Sequence, residues 1–120
     1  MSKNYSGEGN IIDHVCVATQ VSGVPFVLGK LLVMPITDGA IGDTIGVAIG
    51  GVWDLPKVDA AVIGQGETIT YDVSVDEVDD ALATPAAGDA TLGCVAMEAK
   101  GATTGETIAV KLNVDINTIT

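Results

Sequence analysis

The segment most similar to a nucleotide-binding loop is Gly23–Leu31. A phosphate-binding loop has four residues between its glycines, followed by Lys and then Ser or Thr, because its backbone amides surround the phosphate and the hydroxyl binds Mg²⁺. Here five residues separate Gly23 from Gly29, Leu31 replaces the hydroxyl residue, and Pro25 lacks an amide donor. We therefore interpret this segment as a strand that runs into a glycine turn.

Side chains that ligate metals are few. His14 lies next to Asp13 and near Cys16, but tetrahedral zinc sites usually combine paired Cys and His ligands, and the chain has one histidine. The acids between Asp72 and Asp80 offer oxygen ligands for Ca²⁺, yet they lack the spacing of an EF-hand and its glycine. We interpret these features as a strand histidine and a solvated acidic loop, and we predict no metal and no cofactor.

Candidate nucleophiles are equally isolated. None of the serines, Ser2, Ser6, Ser22 and Ser74, follows the pattern of a nucleophile elbow. Lys100 lies in a turn-like segment but lacks the two adjacent methionines of a biotin-attachment hairpin. The sequence predicts no catalytic residues and therefore no enzyme.

The charge balance limits the class of partner. Five lysines or arginines against sixteen acids give a formal net charge of −11 and a pI near 4.1. Such a chain repels nucleic acids and anionic membranes, whose binding depends on Lys and Arg. No apolar run is long enough to cross a membrane and no signal peptide is evident, so we expect the protein to mature in the cytoplasm where it is made. Cys16 and Cys94 are then expected to be buried thiols, with a disulfide as the alternative.

The elements that position these residues are predicted to be strands. One phrase, Gly-acid-Thr-Ile followed by alternating apolar residues, begins at Gly42, Gly66 and Gly105. Glycine permits the backbone angles of a tight turn, and alternation places every second side chain in the core, so each phrase predicts a turn that leads into a strand. Apolar runs ending near Pro35 and Met97 precede two of these phrases, which predicts two hairpins.

The predicted fold is all-β, either a small compact β-barrel or a two-sheet sandwich with glycine-rich hairpins. Residues 1–10 are expected to form an extended N-terminal arm, and residues 11–120 a single β domain. Residues 76–89 are predicted to form a loop with at most one turn of helix. The predicted strands are Ile11–Ala18, Pro25–Val33, Thr44–Ile49, Gly51–Leu55, Thr68–Val73, Leu92–Met97 and Ile108–Ile116.

Several phrases in order carry a resemblance to a known family. They are Thr37–Asp43, Gly50–Lys57, Gly64–Glu67 with Tyr71-Asp72, Gly93–Glu98 and Val110–Leu112. Together they cover roughly residues 7–114, and the chain resembles the DUF2190 family of phage and prophage proteins. Members often carry an automatic label of RecA/RadA-type recombinase, but the defective Gly23–Leu31 segment and the acidic charge argue against that activity here.

The resemblance implies a capsid decoration, or cement, protein on the exterior of the virion. Its partner would be the major capsid protein, bound as a homotrimer at threefold or quasi-threefold positions of the expanded head. We predict contacts by Lys3, Asn4, Tyr5, Trp53 and Pro56, since an extended arm can reach a neighbour and Trp is enriched at interfaces. The alternative function is a displayed binding module, such as a head-fibre base or a carbohydrate-binding domain.

Overall fold

The computed structural model describes residues 10–120, which form an all-β, sandwich-like fold of two antiparallel sheets. This confirms the predicted fold class and favours the sandwich, since the described residues form two open sheets and no closed barrel. No helix in residues 10–120 is long and apolar enough to cross a membrane. The strands are β1 Ile11–Val15, β2 Phe26–Leu28, β3 Leu31–Pro35, β4 Thr44–Ala48, β5 Val52–Pro56, β6 Thr68–Asp72, β7 Glu77–Asp79, β8 Ala90–Ala96, β9 Thr107–Lys111 and β10 Thr118–Ile119.

The first sheet has the order β1-β4-β3-β2, with β1 and β2 at its edges. The prediction of one strand over Pro25–Val33 was wrong, because the chain reverses between Leu28 and Leu31 to form the β2–β3 hairpin. Gly29 occupies this turn with a φ of 63°, a conformation that glycine adopts without steric cost. The sheet buries a small cluster of Cys16, Val33, Ile45 and Val47.

The second sheet has the order β5-β9-β8-β6-β7, and β10 pairs with β8. It supplies most of a larger core, in which Leu55, Tyr71, Cys94 and Ile108 are fully buried. An isolated parallel bridge between Lys57 and Val78 brings the two outer strands of this sheet together at one point. Strand β7 lies in the segment predicted as a loop, so that prediction was wrong over residues 77–79, which pair with β6.

The three repeated phrases have the predicted structure. Gly42, Gly66 and Gly105 have φ values of 92°, 84° and 74°, and a strand begins two residues after each of them. The isoleucines that follow, at positions 45, 69 and 108, are buried. Both predicted hairpins are also confirmed, since β3 pairs with β4 and β8 pairs with β9.

The two sheets are joined by an amide junction, which we define as Asn113 and Asn117 with the backbone groups that they bind. The Asn113 side chain accepts a hydrogen bond from Leu32 N at 3.0 Å and donates to Leu32 O at 2.8 Å, as a neighbouring strand would. It also donates to Ile49 O at 2.9 Å. The side chain of Asn117, which is buried, donates to Lys30 O at 3.1 Å and to Asn113 Oδ1 at 2.9 Å.

The amide junction explains why the last predicted strand is too long. The alternation over Ile108–Ile116 predicted one strand, but β9 ends at Lys111. Asn113 has a φ of 51°, which turns the chain away from the ladder, and Asn is one of the residues that tolerate this conformation. Val114 and Ile116 consequently lie on the surface, with exposed fractions of 56% and 62%.

Candidate functional site

The predicted contact residues do not form one site. Lys3, Asn4 and Tyr5 lie outside the described residues, as does the predicted arm except for Asn10. Trp53 is half-buried against the larger core, and its indole N–H donates to Gly50 O at 2.9 Å. Pro56 is exposed on the opposite face of β5, because neighbouring strand residues alternate in direction. The role of these residues in a contact stays a prediction.

Pro56 borders a groove of about 270 Å³ between the two sheets. Val24 and Pro25 line it from the segment before β2, and Val75 and Asp76 line it from the β6–β7 turn. The groove is shallow and mixed in polarity, and it contains no serine, cysteine or histidine. It offers space for a contact but no set of groups that would carry out a reaction.

The residues considered for chemistry are separated in the fold. Residues 23–31 form the entry to β2 and the β2–β3 hairpin, with no following helix. Cys16 and Cys94 are free thiols buried in different core clusters, as expected, and burial raises the pKa of the Cys94 thiol. The His14 ring contacts Phe26, with 5.4 Å between the ring centroids. No group of three or more His, Cys, Asp or Glu side chains within residues 10–120 is arranged to hold a metal ion.

The described aromatic side chains are directed into the protein. Tyr71 is fully buried, and Phe26 and Trp53 are half-buried. A carbohydrate-binding surface requires exposed aromatic faces on which sugar rings stack. None of these three residues supplies one, so the described part of the chain gives no support to the alternative of a carbohydrate-binding module.

Residues 72–80, which we call the acidic segment, run from the end of β6 through the connecting turn and β7, and are fastened by carboxylates. Asp72 accepts hydrogen bonds from Ser74 N at 3.0 Å and Ser74 Oγ at 2.6 Å. The hydroxyl of Tyr71 donates to Asp76 Oδ1 at 3.2 Å. Burial and the neighbouring Asp76 carboxylate raise the pKa of the Tyr71 hydroxyl above its ordinary range. Buried Asp89 accepts bonds from Val73 N at 3.2 Å and Ala86 N at 2.9 Å, which holds the end of β6 against the following loop.

Lys57 is buried although its side chain ends in an amine, with an exposed fraction of 1%. Its Nζ donates to Val58 O at 2.7 Å, Ala61 O at 2.8 Å and Asp59 O at 3.3 Å. An ammonium group has three donors, so these three carbonyl oxygens satisfy it without a carboxylate. Lys57 therefore organises the loop after β5 and is not accessible for a contact.

Nine of the exposed large apolar side chains of residues 10–120 fall into three groups at different places on the surface. The Val17 surface comprises Val17, Val21, Ile36 and Ile41 on the loops next to β1 and β3, the Leu82 surface comprises Val62 and Leu82, and the Leu92 surface comprises Leu92, Val114 and Ile116. The sequence did not reveal the Leu92 surface, because its alternation placed Val114 and Ile116 in a core. The asparagines at 113 and 117, which are unusual in a strand, were the available signal.

These three surfaces differ in charge. Exposed Asp38 and Asp43 accompany the Val17 surface, and both line a shallow groove there. Glu67 and Asp80 border the Leu82 surface in a groove of about 420 Å³. The Leu92 surface has a single acid, Asp115, within the segment 111–118 from which two of its side chains project.

Comparison with known proteins identifies a family. A family model described as phage cement protein matches residues 7–112. No curated protein and no solved structure matches the chain. The matched region includes every strand except β10, and it ends just before Asn113, so both asparagines of the amide junction lie outside it. Because the match covers most of the sequence, the chain belongs to the phage cement protein family.

Proposed function

We propose that the protein binds the outer surface of the expanded phage head and stabilises contacts between neighbouring major capsid subunits. The match to phage cement proteins over residues 7–112 is the observation that carries this proposal, because that family is structural and associated with the capsid. The fold agrees with such a role. The two sheets are joined by side-chain amide hydrogen bonds, and mostly aliphatic side chains fill the core.

The proposed arrangement is a homotrimer at threefold or quasi-threefold positions of the head. Lys3, Asn4, Tyr5, Trp53 and Pro56 are the candidate contacts in this arrangement. The protein is made in the host cytoplasm and joins the capsid exterior, where it carries out no reaction. Its net charge of −11 supports a location away from the packaged DNA, because acids repel phosphates.

The experiment that tests this proposal is a binding titration on purified expanded heads that lack the protein. We expect saturable binding, with a copy number that matches the threefold and quasi-threefold positions. We also expect a higher temperature of head disruption once these positions are filled, because a ligand that binds only the intact state stabilises it. Heads that have not expanded serve as the control, and we expect them to bind less protein.

Two results would contradict the proposal. One is the absence of binding by a protein that is shown to be folded by circular dichroism. The other is binding that leaves the disruption temperature unchanged, which would indicate a displayed module without a stabilising role.

A further inference from the structure

We infer that the Leu92 surface is the part of this protein that docks on the capsid, against an apolar protein surface that is neutral or bears carboxylates. This inference rests on the proposed function and adds to it the contact residues and the chemistry of the partner. It differs from the contacts predicted from the sequence, which were placed on the arm and on β5.

The three side chains of the Leu92 surface lie around one contact between two segments. Asp115 N donates to Gly93 O at 3.2 Å, and Asn113 N donates to Cys94 Sγ at 3.4 Å. These bonds hold the turn after β9 against β8. Leu92 is adjacent to Gly93, and Val114 and Ile116 flank Asp115, with exposed fractions of 59%, 56% and 62%. Three large apolar side chains are thus presented together, which is a feature of interaction sites.

The backbone at Leu92 is strained. Residues 92–94 lie opposite the single residue Ile69, because Thr68 pairs with Val95 and Thr70 pairs with Thr91. Leu92 has a φ of 70° in this bulge, a conformation that is rare for a bulky residue. Strain of this kind persists only where the surrounding structure imposes it, and it is concentrated at functional sites. Leu92 gains nothing in the core in return, since its side chain is exposed.

The turn that carries Val114 and Ile116 is held in place by hydrogen bonds to the first sheet. The side chains of Asn113 and Asn117 bind the backbone of Leu32, Ile49 and Lys30 in the first sheet. Gly93 has no space for a side chain, because a Cβ there would lie 2.4 Å from the Asn117 side chain. A surface supported in this way loses little conformational entropy when it binds.

The charges near this surface indicate the chemistry of the partner. Lys30, whose carbonyl binds Asn117, and Lys111, at the end of β9, are two of the five lysines of a chain with sixteen acids. Asp115 is the one acid on the same segment as Val114 and Ile116. The Val17 and Leu82 surfaces, by contrast, each have acids beside them. An apolar site with two exposed lysines on the segments that adjoin it fits a neutral or acidic protein surface, and of the three apolar surfaces it is the one that repels such a partner least.

The test compares binding to expanded heads by the wild-type protein and by Leu92→Asn and Ile116→Ser. We expect each variant to bind at least about tenfold more weakly, because truncating a central contact of an interface usually costs that much. The matched controls are Leu82→Ser and Val17→Ser, on side chains with exposed fractions of 94% and 81%. We expect these controls to bind within about twofold of the wild type, as peripheral residues do.

Leu92→Asn has a second readout that separates docking from folding. Asn tolerates a positive φ better than Leu, so we expect this variant to melt at the same or a higher temperature than the wild type while it binds heads more weakly. A lower melting temperature together with unchanged binding would mean that Leu92 has only a structural role, and would overturn the inference.

The remaining outcomes separate this inference from the proposed function. If the wild type binds heads and both surface variants bind equally well, the docking surface is wrong and the proposed function stands. If the wild type does not bind, the proposed function itself fails. Light scattering measures the oligomeric state of the free proteins. A change of oligomeric state in Leu92→Asn or Ile116→Ser would assign this surface to a contact between copies of the chain, and would overturn the inference.

Discussion

The acidic segment and the turn after β9 both lie where a strand of the second sheet ends, but opposite chemistry fastens them. Carboxylates of Asp72, Asp76 and Asp89 hold the first region, whereas neutral amides of Asn113 and Asn117 hold the second. Carboxylates that bind backbone N–H groups leave a region acidic and well hydrated. Amides fasten a turn equally well without adding charge, so the surface above them stays apolar. Whether carboxylates or amides make these hydrogen bonds therefore determines which of the two regions repels an acidic partner.

The largest effect in this comparison is expected at Asn113. Asn113→Ala removes its hydrogen bonds to Leu32 and Ile49 and places alanine, which tolerates a positive φ less well than asparagine, at a φ of 51°. Because buried backbone groups would be left unpaired, we expect a loss of about 2–4 kcal/mol in the free energy of unfolding, measured by urea denaturation. Asn113→Gly separates the two causes, since glycine adopts this φ but binds nothing. If Asn113→Gly were as stable as the wild type, the amide bonds would not hold the sheets together.

A smaller effect is expected at Asp89, which fastens the other region. Asp89→Ala removes the acceptor for Val73 N and Ala86 N, and we expect a loss of about 1–3 kcal/mol in the free energy of unfolding. Asp89→Asn is the matched control, because it keeps one acceptor oxygen and should recover part of the loss. Limited proteolysis should show cleavage within residues 73–89 before any other region. A loss larger than that of Asn113→Ala would reverse the order of the two fastenings.

The smallest effect of a substitution on the free energy of unfolding at neutral pH is expected at Tyr71, and this effect depends on pH. Its hydroxyl has a raised pKa in the folded protein, so the stability that the neutral group contributes is fully present below about pH 10, the ordinary pKa, and is lost as the pH rises further. The expected slope is about 1.4 kcal/mol per pH unit above that point.

The comparison for Tyr71 is urea denaturation of the wild type and of Tyr71→Phe at pH 8, 10 and 11. The variant lacks the bond to Asp76, so we expect it to be less stable by about 1 kcal/mol at pH 8, with the difference closing or reversing by pH 11. A constant difference across this range would show that ionisation of Tyr71 is not linked to folding. The amide junction contains no titrating group and should be indifferent to this change.

Local sequence patterns predicted most of the strands. The predictions failed where contacts between residues far apart in the sequence determine the structure. The Gly-acid-Thr-Ile phrases specify a turn and a strand within a few residues, and all three were correct. The error after Lys111 arose because the partners of Asn113 lie 64 and 81 positions away, so the alternation of Val114 and Ile116 is the same whether they face a core or solvent. A glycine turn was expected at Gly29, but one strand was still predicted across it over Pro25–Val33, because a two-residue turn hardly interrupts an apolar run.

The sequence predicted the class of protein, but it did not predict which residues form the candidate site. Order and spacing of phrases indicated the cement family, and the family match confirms it. Trp53 was chosen because tryptophan is enriched at interfaces, yet its partner is Gly50 of the same chain. Leu92 gives no local signal, since its exposure results from a bulge that β6 and β8 create together.

The reactivity of the buried Lys57 amine can report local opening of this protein. Its amine is enclosed by the carbonyl oxygens of Val58, Asp59 and Ala61, and it is protected from solvent as long as that loop is closed. Amine-reactive reagents should therefore modify exposed Lys30 and Lys111 in the native state and reach Lys57 only when the loop after β5 opens. Intact particles would be labelled, and mass spectrometry would then measure modification of the peptide that contains Lys57. The extent of modification would thus record how often the protein opens while it is bound to a head.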